Sequence, residues 1–375
     1  MLSQEPASLS LLNKKYQPMS TFLQLDTKEK HNIIYKMSEE SYGQVKILQL
    51  KDIDPKKWDS LLNSENASVF NALEWGQVWN LSYKNAHPFF LVIKTDDELQ
   101  SAILLIEIQK FGFKSYYSMP YGDYGAILLN PNLSSSCNLQ SAICDLQSAF
   151  AELAHGNWGM LSFSDFHEQA KDLELLGFKK LNSVTYVLSL SKDSQTLWSQ
   201  SITSTRRQFV RQAQRKGVKI SLVENESQVR ECYKMLEETA KRHNEKSPRF
   251  SLDFYLNIFH TMRKFLRWTI AIQSEQPLAN IINFVYKDTI TYWDGGSYAY
   301  ALQSRPNDIL IWDAIKWGCE NDYKYYDLRG SPTPGLAQFK QEWGAEEKHY
   351  PFYYKKSFLF KTLKALNRKI LHGIF

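Results

Sequence analysis

Apolar and polar positions alternate with different periods along this chain, and the changes of period mark its elements. Residues 1–44 mix Ser, Lys, Gln and Glu with only brief apolar pairs, Leu11-Leu12 and Ile33-Ile34, and read as a loosely ordered leader. From Gln44 onward, Val45, Ile47, Leu48 and Leu50 form an apolar-rich run that predicts a first strand. Asp54-Pro55 opens a helix with Trp58, Leu61 and Leu62 on its inner face, the proline sitting where no backbone donor is needed. Residues 88–94 and 99–109 read as a β-hairpin with Thr95-Asp96-Asp97-Glu98 as its turn. A helix over 137–154, a strand over 160–163, a helix over 169–176 stopped by Gly177 and a strand over 186–190 follow. After a bridge at 191–204 the cycle restarts with a helix at 205–217, a strand at 218–223 and helices at 226–243 and 252–262. Three antiparallel strands (267–273, 279–286, 289–294), an apolar helix (309–319), a strand (324–328), a short helix (336–343) and a closing strand (350–354) complete it. This is an α/β pattern on a mixed sheet, and 375 residues exceed what one hydrophobic core usually serves. Two units are expected, 45–190 and 191–356, followed by a terminal helix over 357–375.

Composition narrows the class. Hydrophobic residues make up 43% and aromatics 14%, enough for real cores and against disorder. The four cysteines form no CxxC pair and no ligand spacing with histidine, so they read as thiols of a reducing compartment, with no metal site. No window approaches a membrane span, and the N-terminus lacks a basic region followed by an apolar run, so a cytoplasmic protein is expected. The net charge is +5, yet after Glu347 there is no acid and there are seven basic residues, which leaves the preceding chain near −2. The basicity belongs to the tail, which argues against a general nucleic-acid binder. Within that tail Leu359, Leu363, Leu366 and Ile370 recur at intervals of four, three and four, with Lys361, Lys364, Arg368 and Lys369 on the flanks. Such a helix either packs on the second unit or lies peripherally on the anionic inner face of a membrane.

The candidate chemistry centres on residues 325–346. A short strand ends in Asp327 and Arg329, a loop built from Gly330, Pro332, Pro334 and Gly335 can continue neither strand nor helix, and a short helix then carries Lys340. Elsewhere, Arg207, Arg211 and Arg215 lie four apart on the helix at 205–217 and form one cationic stripe, which suits oxyanions or else simply faces water. Residues 68–83 place Trp75 and Trp79 in an aromatic block that reads as core or as a contact surface. The loop Ser118–Gly125 brings tyrosines, Tyr121 among them, and an aspartate to a pocket wall or a plain inter-strand turn. There is no Ser-His-Asp order, no metal-ligand cluster and no phosphate-cradling glycine loop.

The order Tyr326-Asp327-x-x-Gly330, a Pro/Gly-rich loop and Gly335-Leu336-x-x-Phe339-Lys340-x-x-Trp343-Gly344 resembles the C-terminal signature of the Fem-type aminoacyl and peptidyl transferases, members of the GNAT acyltransferase superfamily. The resemblance extends patchily over residues 45–355. It implies two tandem GNAT-like domains and acyl transfer to an amine, with aminoacyl-tRNA as donor in place of a bound cofactor and a lipid- or nucleotide-linked envelope precursor of the peptidoglycan type as acceptor. It assigns Lys340 a role in transfer; the chemistry of acyl transfer to an amine suits Lys340 to stabilising the oxyanion, with Arg329 as its helper and Asp327 orienting Arg329 or accepting a proton. Glu238-Thr239-Ala240-Lys241-Arg242 resembles the family's Thr-x-x-Arg motif, which makes Arg242 a ligand for substrate phosphate; the usual Asp-Gly-Phe continuation is replaced by His243-Asn244-Glu245. The family's Trp-Gly-x-Val block is followed by a lysine that holds a muramyl nucleotide, and Trp79 stands in the matching place; an indole cannot neutralise a phosphate. The acetyl-CoA fingerprint Arg/Gln-x-x-Gly-x-Gly/Ala is absent from both halves. Two alternatives stay open: an N-acyltransferase using an acyl thioester such as acyl-CoA on a sugar, lipid or amino-acid amine, and a GNAT-like binding module without turnover.

Overall fold

The computed structural model describes residues 45–366 apart from 96, 133–135, 191–192 and 332; the leader at 1–44 and the tail beyond Leu366 lie outside the described residues. Its strands join one continuous mixed sheet. In the first half, β1 (Val45–Gln49), β2 (Ala86–Thr95), β3 (Glu98–Lys110) and β4 (Phe113–Tyr117) pair antiparallel, and the short β5 (Leu128–Leu129) adds to β3. The long helix α3 (Ser136–Glu152) then crosses over, so that β6 (Trp158–Ser164) runs parallel to β4. The second half repeats this plan. There β8 (Lys219–Leu222), β9 (Leu266–Gln273), β10 (Gln276–Tyr286) and β11 (Thr289–Ser297) are antiparallel. Helix α7 (Pro306–Glu320) then crosses to β12 (Tyr325–Asp327), parallel to β11. The two parallel pairs, each made by a helical crossover, show at the level of topology a repeat that is invisible in the sequence.

The last strand of each half is exchanged. The chain's final strand β13 (Glu346–Lys356) lies between β6 and β7 (Lys179–Ser189) of the first half, while β7 pairs on its other side with β12 of the second. Separating the halves would break the β13–β6, β13–β7 and β12–β7 ladders, leaving buried backbone groups unpaired.

Helices cover both faces. The short α1 (Pro55–Leu62) is capped by Asp54, whose carboxylate accepts from the Lys56 amide at 2.9 Å. Residues of the aromatic block form α2 (Leu73–Ser82), packed against α6 (Leu252–Thr261), and α5 (Glu226–Arg242) covers β11. Trp58, Trp75, Phe70, Trp79, Phe254 and Trp268 are all at most 2% exposed, and their cluster runs through both halves. One expected helix does not form: 169–176 contains only a single 3-10 turn at Lys171–Leu173. Asp165 takes the Gln169 and Ala170 amides at 2.9 and 2.8 Å, and Glu168 is left-handed at φ 54°, so the backbone donors are used before a helix can start.

Candidate active site

The strand that ends at Asp327, with Arg329 just after it, hands these charges to the seam between the halves. Asp327, 3% exposed, accepts three hydrogen bonds: Oδ2 from the Tyr124 hydroxyl at 2.6 Å, and Oδ1 from the Thr185 hydroxyl at 2.6 Å and the Arg329 amide at 2.8 Å. Tyr124 follows β4 and Thr185 sits on β7, so an aspartate of the second half is held by two hydroxyls of the first. Burial and the adjoining carboxylate push the Tyr124 phenol well above its ordinary value, so it stays a donor.

Arg329 adopts the left-handed conformation at φ 65°, which turns its side chain back across the seam. A guanidinium nitrogen donates to Asp123 Oδ1 at 2.8 Å, with the two side chains 13% and 1% exposed, and the group lies over the rings of Tyr124 and Phe70 at 4.7 and 5.3 Å. The next residue must be glycine, because a Cβ on Gly330 would stand 2.7 Å from the Val184 carbonyl oxygen of β7. Asp123 Oδ2 is buried without a hydrogen-bond partner, and so is the Trp293 indole N–H, although the indole is close enough to favour the carboxylate. Burial outweighs the Arg329, Arg249 and Trp293 contributions and raises the Asp123 carboxyl to about 6. Trp293 is the extra residue of a bulge in β11, between Asp294 opposite Ile282 and Tyr292 opposite Asn283.

Lys340 sits on α8 (Pro334–Gln341), which is capped by Thr333 and begins with Pro334. Its Nζ donates to the carbonyls of Arg329 and Gly330 at 3.0 and 2.5 Å, spanning the loop that carries Arg329. It is 7% exposed. Burial lowers its pKa to about 8, against the attraction of Asp327 and with repulsion from the Arg329 guanidinium adding to the fall.

The structure thus brings Lys340, Arg329 and Asp327 together. Tyr121 and Trp75 border the same region on its aromatic side. Tyr121, left-handed at φ 59° and 39% exposed, stacks on Trp79 at 6.2 Å and meets Phe250 edge-on at 5.0 Å. Trp75 is fully buried and touches Trp293 at 5.6 Å. The stripe on α4 (Ser204–Arg215) lies elsewhere. Arg207 donates to the carbonyls of Trp198, Ser199 and Ile202 at 2.9, 2.9 and 3.1 Å, Arg211 rests over the Trp198 ring at 5.6 Å, and Arg215 is exposed. Arg242 ties the end of α5 to β11, donating to the Ser297 carbonyl at 2.5 Å and to the Ser297 and Thr239 hydroxyls, each at 3.0 Å.

Asp123 and Tyr124 come from the loop read as a pocket wall or a plain turn, while Thr185, Trp293 and Arg249 escaped the sequence reading. The exposed Arg249, on the loop between α5 and α6, acts through its charge on both Asp123 and Tyr121. Arg206, beside the stripe, also went unremarked. It bridges Asp308 in the first turn of α7 and Glu342 after α8, each at 2.7 Å, and lies over Phe339 at 4.6 Å. The N-terminus of α7 therefore already holds a carboxylate with its own counter-charge. Among the described residues no group of side chains suits a metal ion.

Residues 200–341 match the family model described as Acetyltransferase (GNAT) domain. No curated protein matches the chain. Among solved structures, FemX is 12% identical with TM-score 0.65, over 86% of this chain and 100% of its own. The C-terminal domain of a putative lysylphosphatidylglycerol synthetase from Agrobacterium fabrum is 12% identical with TM-score 0.56, over 85% and 98%. A tandem GNAT protein from the clavulanic acid biosynthesis pathway is 9% identical with TM-score 0.50, over 84% and 98%. These likenesses are of fold: two GNAT-like units in one chain.

Proposed function

Starting from a chain that carries a GNAT acyltransferase domain at 200–341 inside a tandem GNAT fold, we propose that it transfers an aminoacyl group from aminoacyl-tRNA to an amine of an envelope precursor, lipid- or nucleotide-linked. The observation that carries the reading is the buried Asp123–Arg329 pair, with one carboxylate oxygen unpartnered beside a lysine-clamped loop. In this reading the acceptor amine attacks the ester carbonyl of the donor and passes its proton to Asp123 Oδ2. A base near 6 is ionised at neutral pH yet basic enough to take that proton as the C–N bond forms. An ammonium has three donors, and Lys340 spends two on carbonyls; the third faces the oxyanion of the tetrahedral intermediate. Collapse of the intermediate breaks the ester C–O bond, and the proton on Asp123 leaves with the ribose oxygen. Access to Oδ2 requires the wall formed by Tyr121 and the Arg249 loop to part.

Two features favour this donor over an acyl thioester. At the N-terminus of α7, where free amides could hold a pyrophosphate, the Asp308 carboxylate paired with Arg206 already stands in the first turn. A lysylphosphatidylglycerol synthetase, by its name, makes an aminoacylated lipid, and a domain of one shares this fold. Arg242, Arg207, Arg211 and Arg215 remain candidates for phosphate contacts outside the reacting centre.

Purified protein incubated with tRNA charged with labelled amino acids and with lipid- and nucleotide-linked precursors should give a labelled amide product, abolished by ribonuclease pretreatment. Ribonuclease-resistant labelling from acyl-CoA would establish the thioester alternative. Binding of precursor with no transfer from either donor would establish a binding module.

A further inference from the structure

Away from the seam, three large apolar side chains project into solvent at one rim of the sheet: Phe111 at 60% exposure, Phe358 at 79% and Leu359 at 62%. They come from two elements that the fold fastens together. Phe111 sits, left-handed at φ 51°, in the turn between β3 and β4, two residues before Phe113. Phe358 and Leu359 open the helix α9 (Phe358–Leu366), whose next residue, Phe360, is 7% exposed and packs with Tyr117 and Met160. Phe360 meets Phe113 at 5.8 Å, and both close on Gly159 of β6, where a Cβ would lie 3.1 and 3.3 Å from them. Seating Phe360 inward turns Leu359, the first residue of the spaced leucine stripe, outward.

Basic side chains dominate the charge around this rim. Lys110 lies 5.5 Å from the Phe111 ring, and Lys114 and Lys361 are exposed. Residues 110–114 and 358–366 contain no acid, and the nearest one paired with them is Glu107, bridged to Lys114 at 3.4 Å. A partner that accepts protruding phenylalanines and leucine inside a ring of lysines is apolar behind an anionic surface. We propose that this rim, the β3–β4 turn together with α9, docks the protein on an anionic phospholipid bilayer. The apolar side chains enter the acyl boundary and the lysines stay among the headgroups.

The test uses the full chain and vesicles of phosphatidylcholine alone or mixed equally with phosphatidylglycerol. The wild type pellets with the mixed vesicles at low salt, stays in solution with phosphatidylcholine, and is released as salt rises. The variant F111S/F358S/L359S loses binding at least about tenfold. The variant K110Q/K114Q/K361Q loses about a hundredfold, since each lysine beside an anionic leaflet counts for about a factor of five. All six positions lie at the surface, so unchanged near-UV circular dichroism is expected in both. Wild type left in the supernatant, or pelleting that neither variant reduces, overturns the proposal. So does a concentration-dependent dimer that the serine variant dissolves, which would make the rim a self-association face. Vesicle binding needs neither donor nor acceptor, so its outcome is separate from that of the transfer assay.

Discussion

Replacing Asp123 by asparagine should make the protein more stable and inactive at once, with the gain depending on pH. The substitution keeps the shape and leaves an oxygen to accept from Arg329, while removing the charge that burial penalises. The carboxyl titrates at about 6 in the folded chain against about 4 in an unfolded one. Between those values the native state binds the extra proton, so stability falls as pH rises through the window, and the full cost is present above pH 6. Two pH units correspond to about 3 kcal/mol, of which linkage assigns about 1 at pH 4.5 and nearly all at pH 7.5. Urea unfolding of both proteins at the two pH values isolates this group, because every other titration is common to both chains and cancels in the difference. The stability advantage of Asp123→Asn should therefore grow by about 2 kcal/mol from pH 4.5 to 7.5. A pH-independent difference, or an asparagine variant less stable at pH 7.5, would show that the ion pair with Arg329 outweighs desolvation, and the basis for an elevated carboxyl would be gone.

The pH profile of transfer should be bell-shaped, rising through about 6 as Asp123 ionises and falling through about 8 as Lys340 loses its proton. Lys340→Met should slow transfer at least about tenfold, equal to about 1.4 kcal/mol in barrier, and should abolish the alkaline limb; an alkaline limb that survives assigns it to another group. Tyr124→Phe and Thr185→Val each take a donor from buried Asp327, and each should cost about 1–3 kcal/mol in urea unfolding, with losses that are not additive in the double variant because the two share one carboxylate.

What the sequence disclosed and what it withheld divide along chain separation. Local rules place α1, the β2–β3 hairpin, α4, α5, α7 and the strand–loop–helix around Arg329 within a few residues, because caps, prolines and apolar period act over one or two turns. They fail at 169–176, where apolar spacing suggests a helix and the side chain of Asp165 takes the amides first. They also leave β7 short at its start, because Lys179 to Asn182 are exposed and their pattern carries no burial signal. Asp327, Arg329 and Lys340 were legible as a group because they lie within fourteen residues of one another. Their partners were not: Asp123 and Tyr124 meet them across 206 and 203 residues, and nothing in a single chain's pattern pairs an aspartate with an arginine so far away. The arginine stripe shows the converse, since spacing alone does not tell what each side chain meets. Periodicity puts Arg207, Arg211 and Arg215 on one face, but the unpredicted turn at 197–201 and Ile202 just after it supply three carbonyls that use Arg207.

The exchanged strands explain why the candidate site has the composition it has. In each half the parallel pair made by a crossover leaves a gap beyond the strand ends, and one such pair alone could supply Asp327, Arg329 and Lys340 but nothing to satisfy them. Because β7 borders β12, the Thr185 hydroxyl reaches Asp327 from the neighbouring strand, and the loop after β4 closes from above with Asp123 and Tyr124. A buried aspartate, a buried arginine and a buried lysine are each costly in isolation, and here each is compensated by a group from a different element. The segment 200–341 carries the acids and bases of the loop, yet Asp123, Tyr124 and Thr185, which set their hydrogen bonds, all lie before it. The proposed chemistry is therefore a property of the seam, and the strand exchange is what keeps that seam closed.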